Sequence, residues 1–404
     1  MQDKQLQKWS DATGIEVSLL RRLIDRDFIT GYEVNGQFEF SRSDVYKLIA
    51  VSKFPEFANK IALVADRSFM YEYNPELADF LCFHDTIDAF TWLIKLRYSS
   101  KEDIRSRKAY RLDRLFDQFL TEKQFEIGKL TRLKGRSSSP DRFTFHLTKG
   151  WYNEMVRSTP LNENILAIGT RVSPDSCHGR FAAWNIVQSY YAIYEYVNAL
   201  VFTNSDNLRT EEHRKSTNYF HKNLLSKFET DLVCYPFNLS HAPAKVLNAK
   251  RGEKAFWKFN YARSPRYDLS IYQLEDLYLS LTTEEDFLLN VLYKFRVWAN
   301  YLGIPRVIQL QDGYYLAHLY KNLGTLCFFY GAFTELMALA FLGEKQVLAL
   351  LSDFVNDFLK QNENYRQNWY YVPILMRFRF YHKHGLISKK PSYLIPPDPI
   401  LIKG

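Results

Sequence analysis

Residues 182–201, AAWNIVQSYYAIYEYVNALV, run for 20 positions without a glycine or proline and carry a single charge, Glu195. A stretch this long, mostly apolar and free of breakers, is read as one helix covering 180–202. Similar patterns predict helices over 210–228, 283–302, 313–342 and 345–361. Across 404 residues there are only 16 Gly and 14 Pro, below the roughly 12% of average usage. So few punctuators favour long helices over many short strands, and the expected fold class is mainly α. The end of the chain, 391–399, holds four prolines and is expected to be extended, because proline cannot continue a helix.

An apolar share of 47% excludes a disordered chain. The four cysteines, Cys82, Cys177, Cys234 and Cys327, lie far apart, and MQDKQLQKWS at the N-terminus has no apolar signal core. A reducing, cytoplasmic setting is expected. The most apolar window, 325–342, is barely long enough to span a bilayer and carries Glu335 near its middle, so it reads as a buried helix and no membrane partner is expected. Zinc is not expected either. Cys177, His178, Cys234 and His241 contain no closely spaced ligand pair of the C-x2-C or H-x3-H kind. Phosphate-loop, dinucleotide, zinc-protease and hydrolase strings are absent from the sequence, which makes the corresponding enzyme classes poor readings of it.

Charge is unevenly placed. The net charge is +8, yet 97–136 alone holds 12 Lys/Arg against 6 Asp/Glu, and 375–404 holds 6 Lys/Arg against one Asp. A basic segment in an otherwise balanced chain is the pattern of a phosphate-contacting face. Within it, Arg107, Arg111 and Arg114 fall at i, i+4 and i+7 and would share one helix face. Arg132, Lys134 and Arg136 belong to a basic, small-residue loop over 132–140. Beyond that loop, Phe143, Phe145 and Leu147 alternate with Arg142, Thr144 and His146, a strand pattern, so a hairpin with a basic tip is expected here. His382 and His384 in the basic C-terminal stretch read as a solvated strand or loop.

The first fifty residues predict a short helix over 4–12, a turn at Thr13-Gly14-Ile15, and a second helix over 16–27 with Leu19, Leu20, Leu23 and Ile24 on one face. Two short strands around Asn35-Gly36 follow, then a third helix capped by Ser41 or Ser43. GIEVSLLRRLIDRDFI…VNGQFEFSRSDVYKL resembles the winged helix-turn-helix of the MerR and excisionase class. That resemblance implies a second helix lying in the major groove, with Ser18, Arg21, Arg22 and Arg26 on DNA and Asn35 or Gln37 on the wing. Residues 1–50 hold 7 Lys/Arg against 8 Asp/Glu, an unusual balance for a DNA contact that depends on phosphate neutralisation. Docking on protein is the other use of such a module.

The helix over 182–201, a short polar break, and then Arg209-Thr-Glu-Glu-His213-Arg214-Lys-Ser-Thr-Asn-Tyr-Phe-His221 resemble the HEPN superfamily of small helical domains over about 174–303. Active members of that superfamily are metal-independent ribonucleases with an arginine, four to six residues, then a histidine. The chemistry suits those types: histidine moves protons near neutral pH, and arginine holds a phosphate and stabilises its developing charge. The resemblance implies that the RNA 2′-hydroxyl is the nucleophile, that no cofactor is needed, and that two copies face each other in a dimer. Arg209 and His213 have three residues between them and Arg214 and His221 have six, so either pair, or neither, carries the chemistry. The expected order is a winged helix-turn-helix over 1–52, a basic connector over 53–150, a HEPN-like domain over 151–305 and a helical extension over 306–404. The expected partner is RNA or DNA. The two functions in view are a ribonuclease effector, in prokaryotic defence or a toxin–antitoxin pair, and a non-enzymatic DNA-binding regulator or adaptor.

Overall fold

The computed structural model describes residues 3–25, 31–34, 37–40, 112–121, 138–158, 177–205, 213–224, 287–301, 313–361 and 372–394, together with Ile29, Leu48, Val51, Ile87, Phe90, Thr91, Ile94, Lys95 and Tyr98. The described residues are mainly helical, as the scarcity of breakers predicts. The chain divides into two compact units, Met1–Leu115 with Leu225–Lys294, and Phe116–Leu224 with Phe295–Gly404.

In the first unit, α1 (Asp3–Thr13) and α2 (Val17–Asp25) pack together through Leu6, Trp9, Leu20 and Leu23, all buried. Gly14 makes the turn between them. Its φ of 69° lies in the left-handed region that glycine occupies without steric cost. Its N–H donates to the Ser10 carbonyl at 2.8 Å, while the Thr13 hydroxyl donates to the Trp9 carbonyl and accepts from the Ile15 N–H. Thus α1 ends with its last backbone groups satisfied. The strands β1 (Gly31–Val34) and β2 (Gln37–Phe40) pair antiparallel with Val34 opposite Gln37. That register leaves a two-residue loop, in agreement with the Asn-Gly signal. Of the expected third helix, Leu48 and Val51 are described, and both are helical and buried.

The second unit is built on α5 (Cys177–Phe202) and α8 (Gly313–Leu342), which pack against each other. Almost every residue of α8 between Leu323 and Leu339 is buried, and so is most of α5 beyond Asn185, which is why neither helix shows a polar face. Leu319–Leu342 is long and apolar enough to cross a membrane, and most of it is enclosed by this unit. The unit also contains α6 (His213–Asn223), the second part of α7 (Phe287–Tyr301), α9 (Glu344–Phe354) and α10 (Pro373–Lys383). A π-helical turn, Val355–Leu359, continues α9. Gly343, at φ 85°, separates α8 from α9, and Gly385, at φ 70°, closes α10.

Three local expectations are corrected. The strand expected over 142–148 is the beginning of a helix, α4 (Pro140–Ser158), which lies along α5. Ser139 precedes Pro140 and Asp141, a start signal with proline at the first helical position and an acid in the first turn. The buried positions of α4 are Phe143, His146, Leu147, Gly150, Trp151, Glu154, Met155 and Arg157, a helical stripe, whereas Phe145 is 57% exposed. The period of 3.6 over 19 residues outweighs an alternation seen over seven. His382 and His384 end a helix and are not in a strand or open loop: Pro373 begins α10, and His384 caps it. The proline-rich end is not extended throughout, since Ser392–Leu394 forms a 3-10 turn.

Candidate functional site

His213 opens α6 and meets two tyrosines of α5. Its Nδ1 lies 2.7 Å from the Tyr190 hydroxyl, and its ring stands 4.2 Å from the Tyr194 ring, centroid to centroid. The i, i+4 spacing of Tyr190 and Tyr194 stacks their rings at 5.6 Å and presents both to the same histidine. From α7, Arg296 donates from Nη1 to the Tyr191 hydroxyl at 2.7 Å, and its guanidinium carbon sits 5.5 Å from the Tyr190 ring and 5.4 Å from the Tyr191 ring. His213 and Arg296 therefore flank Tyr190.

Burial lowers the pKa of His213 below its usual value, the Arg296 charge lowers it further, and Glu195 opposes both. A neutral imidazole at neutral pH can accept a proton. The hydrogen bond at Nδ1 orients the ring and couples its tautomer to the Tyr190 hydroxyl. Glu195 is held from the other side by α4, with His146 Nδ1 at 2.5 Å and Lys149 Nζ at 3.4 Å. Lys149 also lies 4.9 Å over the exposed ring of Phe145. This pairs a cation with an open aromatic face one helix away from the histidine.

The remaining sequence candidates divide clearly. Arg214 and His221 sit on α6 with His213. The buried positions of α6 are Ser216, Thr217 and Phe220, with Leu224 just beyond it. His213 belongs to that inward stripe. Arg209, Arg26, Arg107, Arg111, Arg132, Lys134, Arg136 and Asn35 lie outside the described residues. Ser18, Arg21 and Arg22 are exposed along α2, and Arg114 is exposed on α3 (Leu112–Thr121). Cys177 and His178 open α5, while Cys234 and His241 lie outside the described residues. Among the described residues, no three or more His, Cys, Asp or Glu side chains cluster as metal ligands. Neither Arg296 nor the contact of Tyr190 with His213 is marked by spacing in the sequence. The available signal was an arginine within the otherwise largely apolar segment FLLNVLYKFRVWANY.

A second polar cluster is sealed inside the same unit. Arg377 donates from Nε and Nη2 to Glu335 at 2.8 and 2.7 Å, and from Nη1 and Nη2 to Glu154 at 2.9 Å each. Tyr196 donates to Glu154, and Trp151 and Tyr381 donate to Glu335. Arg377 and Glu335 are fully buried, and Glu154 is 1% exposed. Burial pushes the Glu335 carboxyl up from its usual range, and Arg377 pulls it back. Two carboxylates around one guanidinium, with every named contact inside the core, tie α4, α5, α8 and α10 together. Sealed in this way, the cluster is architectural, and the half-buried His213 centre is the functional candidate. No protein-family model matches the chain, and comparison with curated proteins and with solved structures returns no match.

Proposed function

We propose that this is a nucleic-acid-associated protein whose second unit carries a HEPN-like helical core and cleaves RNA without a metal, with His213 as the proton-transfer group. The observation that supports this reading is the position of His213: half-buried, oriented by Tyr190, kept neutral by burial and adjacent to a guanidinium. In the proposed step His213 takes the proton of the RNA 2′-hydroxyl as the O2′–P bond forms. The P–O5′ bond breaks, and the leaving 5′-oxygen takes a proton from water. The hydroxide left behind recovers the proton held by His213, so atoms and charge balance. The exposed Phe145 ring with Lys149 above it suits a single strand, where bases stack and phosphates meet cations. On this reading the protein works in the cytoplasm, and two copies would bring their His213 centres together.

The test is incubation of the purified protein with single-stranded RNA in EDTA. Products ending in a 2′,3′-cyclic phosphate, together with resistance of a strand carrying 2′-deoxy nucleotides, support the mechanism. Cleavage abolished by chelation removes it. The second reading is a DNA-binding regulator or adaptor built on a winged helix-turn-helix, supported by the exposed Ser18, Arg21 and Arg22 on α2, in the same unit as the two-stranded ribbon. Duplex binding with complete inactivity on RNA would favour it.

A further inference from the structure

We propose that Phe145 is a stacking platform for a base of single-stranded RNA, with Lys149 contacting the neighbouring phosphate. This deepens the RNA-cleavage reading by naming where the strand lies, and it rests on that reading for its use beside His213.

Phe145 is 57% exposed, more than any other large apolar side chain among the described residues. Its neighbours in α4 hold the ring without covering it. Buried His146 meets Phe145 edge-on at 5.2 Å, is itself stacked on Phe202 at 5.2 Å, and is hydrogen-bonded through Nδ1 to Glu195 at 2.5 Å. Lys149, one turn further along α4, lies 4.9 Å over the ring. A ring held in this way loses little freedom when a base settles on it. Stacking asks only for an open π-face, so it accepts any base that is not already stacked in a duplex. Lys149 donates to Glu195 at 3.4 Å, and an ammonium has three N–H donors, so it can meet a phosphate while staying near the ring. The exposed α4 positions around Phe145, namely Asp141, Arg142 and Lys149, are charged. A protein partner would call for a wider apolar patch, whereas a single ring beside a cation suits a base next to its phosphate. The platform meets the His213 centre at Glu195. That carboxylate accepts from His146 and Lys149, and its charge acts on the His213 imidazole. Glu195 thus links the ring that holds the base to the histidine that moves the proton.

The experiment measures, by fluorescence anisotropy, the affinity of the full-length protein for a labelled single strand of 2′-deoxy nucleotides, so that binding is read without cleavage. Phe145→Ala should weaken binding about fivefold or more, the size expected for the loss of one stacked base. Phe145→Trp should bind at least as tightly as wild type. Phe145→Leu, apolar but without a π-face, should fall with Phe145→Ala. A strand of abasic nucleotides should bind wild type and Phe145→Ala alike. Lys149→Gln should reduce the salt slope by about 0.7, one phosphate contact on a single strand. Each variant replaces an exposed side chain, so the fold should be kept, and thermal melts check it. Wild-type affinity in folded Phe145→Ala or Phe145→Leu, or an equal loss on the abasic strand, would overturn the platform. An unchanged salt slope in Lys149→Gln would overturn the phosphate contact. Strand binding that depends on Phe145, without RNA cleavage, would keep the platform and remove the ribonuclease reading. Cleavage of RNA below saturation that Phe145→Ala and Phe145→Leu leave untouched would do the reverse.

Discussion

Arg377 grips Glu154 across 223 residues of chain, with Nη1 on Oε1 and Nη2 on Oε2, both at 2.9 Å. The same guanidinium holds Glu335 42 residues away. A charge buried this deeply is tolerated because both sides are paired and the flanking donors Tyr196, Trp151 and Tyr381 saturate the carboxylates.

Removing the guanidinium strands two buried carboxylates. Arg377→Met should therefore cost about 3–5 kcal/mol of unfolding free energy, read by urea denaturation. Adding Glu154→Gln and Glu335→Gln to it should recover part of that stability, since the uncompensated charges are then gone. A single Arg377→Met variant as stable as wild type would show that the cluster does not hold the unit together.

Glycine makes room for this packing. A Cβ on Gly331 would stand 2.7 Å from Nη2 of Arg377, and a Cβ on Gly324 would stand 2.7 Å from Nη2 of Arg157. Arg157 is itself pinned by the Ser189 hydroxyl and the Tyr320 carbonyl. Neither guanidinium can move away without breaking its hydrogen bonds. Gly331→Ala should thus cost about 1–3 kcal/mol, although alanine ordinarily favours a helix. A stabilised Gly331→Ala variant, by thermal melt, would contradict the close packing.

These buried contacts mark the limit of what the sequence discloses. Periodicity and breakers gave α8 its observed bounds of 313–342, and the Asn-Gly dipeptide gave the hairpin its register. The α1 turn was legible for the same reason, since each of these signals is local. The failures were tertiary. Phe143, Phe145 and Leu147 alternate, but a partner surface on α5 selects the helical stripe. Arg377 counts toward a basic C-terminal segment, yet its charge is consumed in the core by two carboxylates distant in sequence. Lys383 and His384 of the same segment both bond Asp117, at 2.6 and 2.7 Å. Arg296 reaches the surroundings of His213 only because α6 and α7 meet neighbouring tyrosines of α5, a relation no spacing rule contains.

His213 predicts a pH dependence with a definite sign. Its folded pKa lies below the usual value of about 6.5, so the folded state binds this proton less readily than the unfolded chain does. The stability it contributes is present above pH 6.5 and is lost as pH falls below that value toward the folded pKa. Wild type should lose stability over this interval relative to His213→Gln, by chemical denaturation at stepped pH. Parallel curves for the two proteins would mean that the imidazole is not perturbed.

Exposed charges on α2 make the opposite kind of prediction, one of binding without stability. Arg21→Ala with Arg22→Ala should leave the unfolding free energy unchanged within about 0.5 kcal/mol. The same change should weaken duplex DNA binding and flatten its salt dependence, by about one unit of slope for each phosphate that is no longer neutralised. Fluorescence anisotropy at several salt concentrations reads both binding effects. Unchanged binding would turn this module into a surface for protein docking.

The proposed role of His213, moving the proton in a metal-independent cleavage of RNA, is tested by the single-turnover rate in EDTA for wild type against His213→Ala. General acid–base groups contribute on the order of 10²–10⁴-fold, so the wild-type rate should be insensitive to EDTA and the variant should fall by at least about 10²-fold. A folded His213→Ala protein that cuts RNA at the wild-type rate would contradict it.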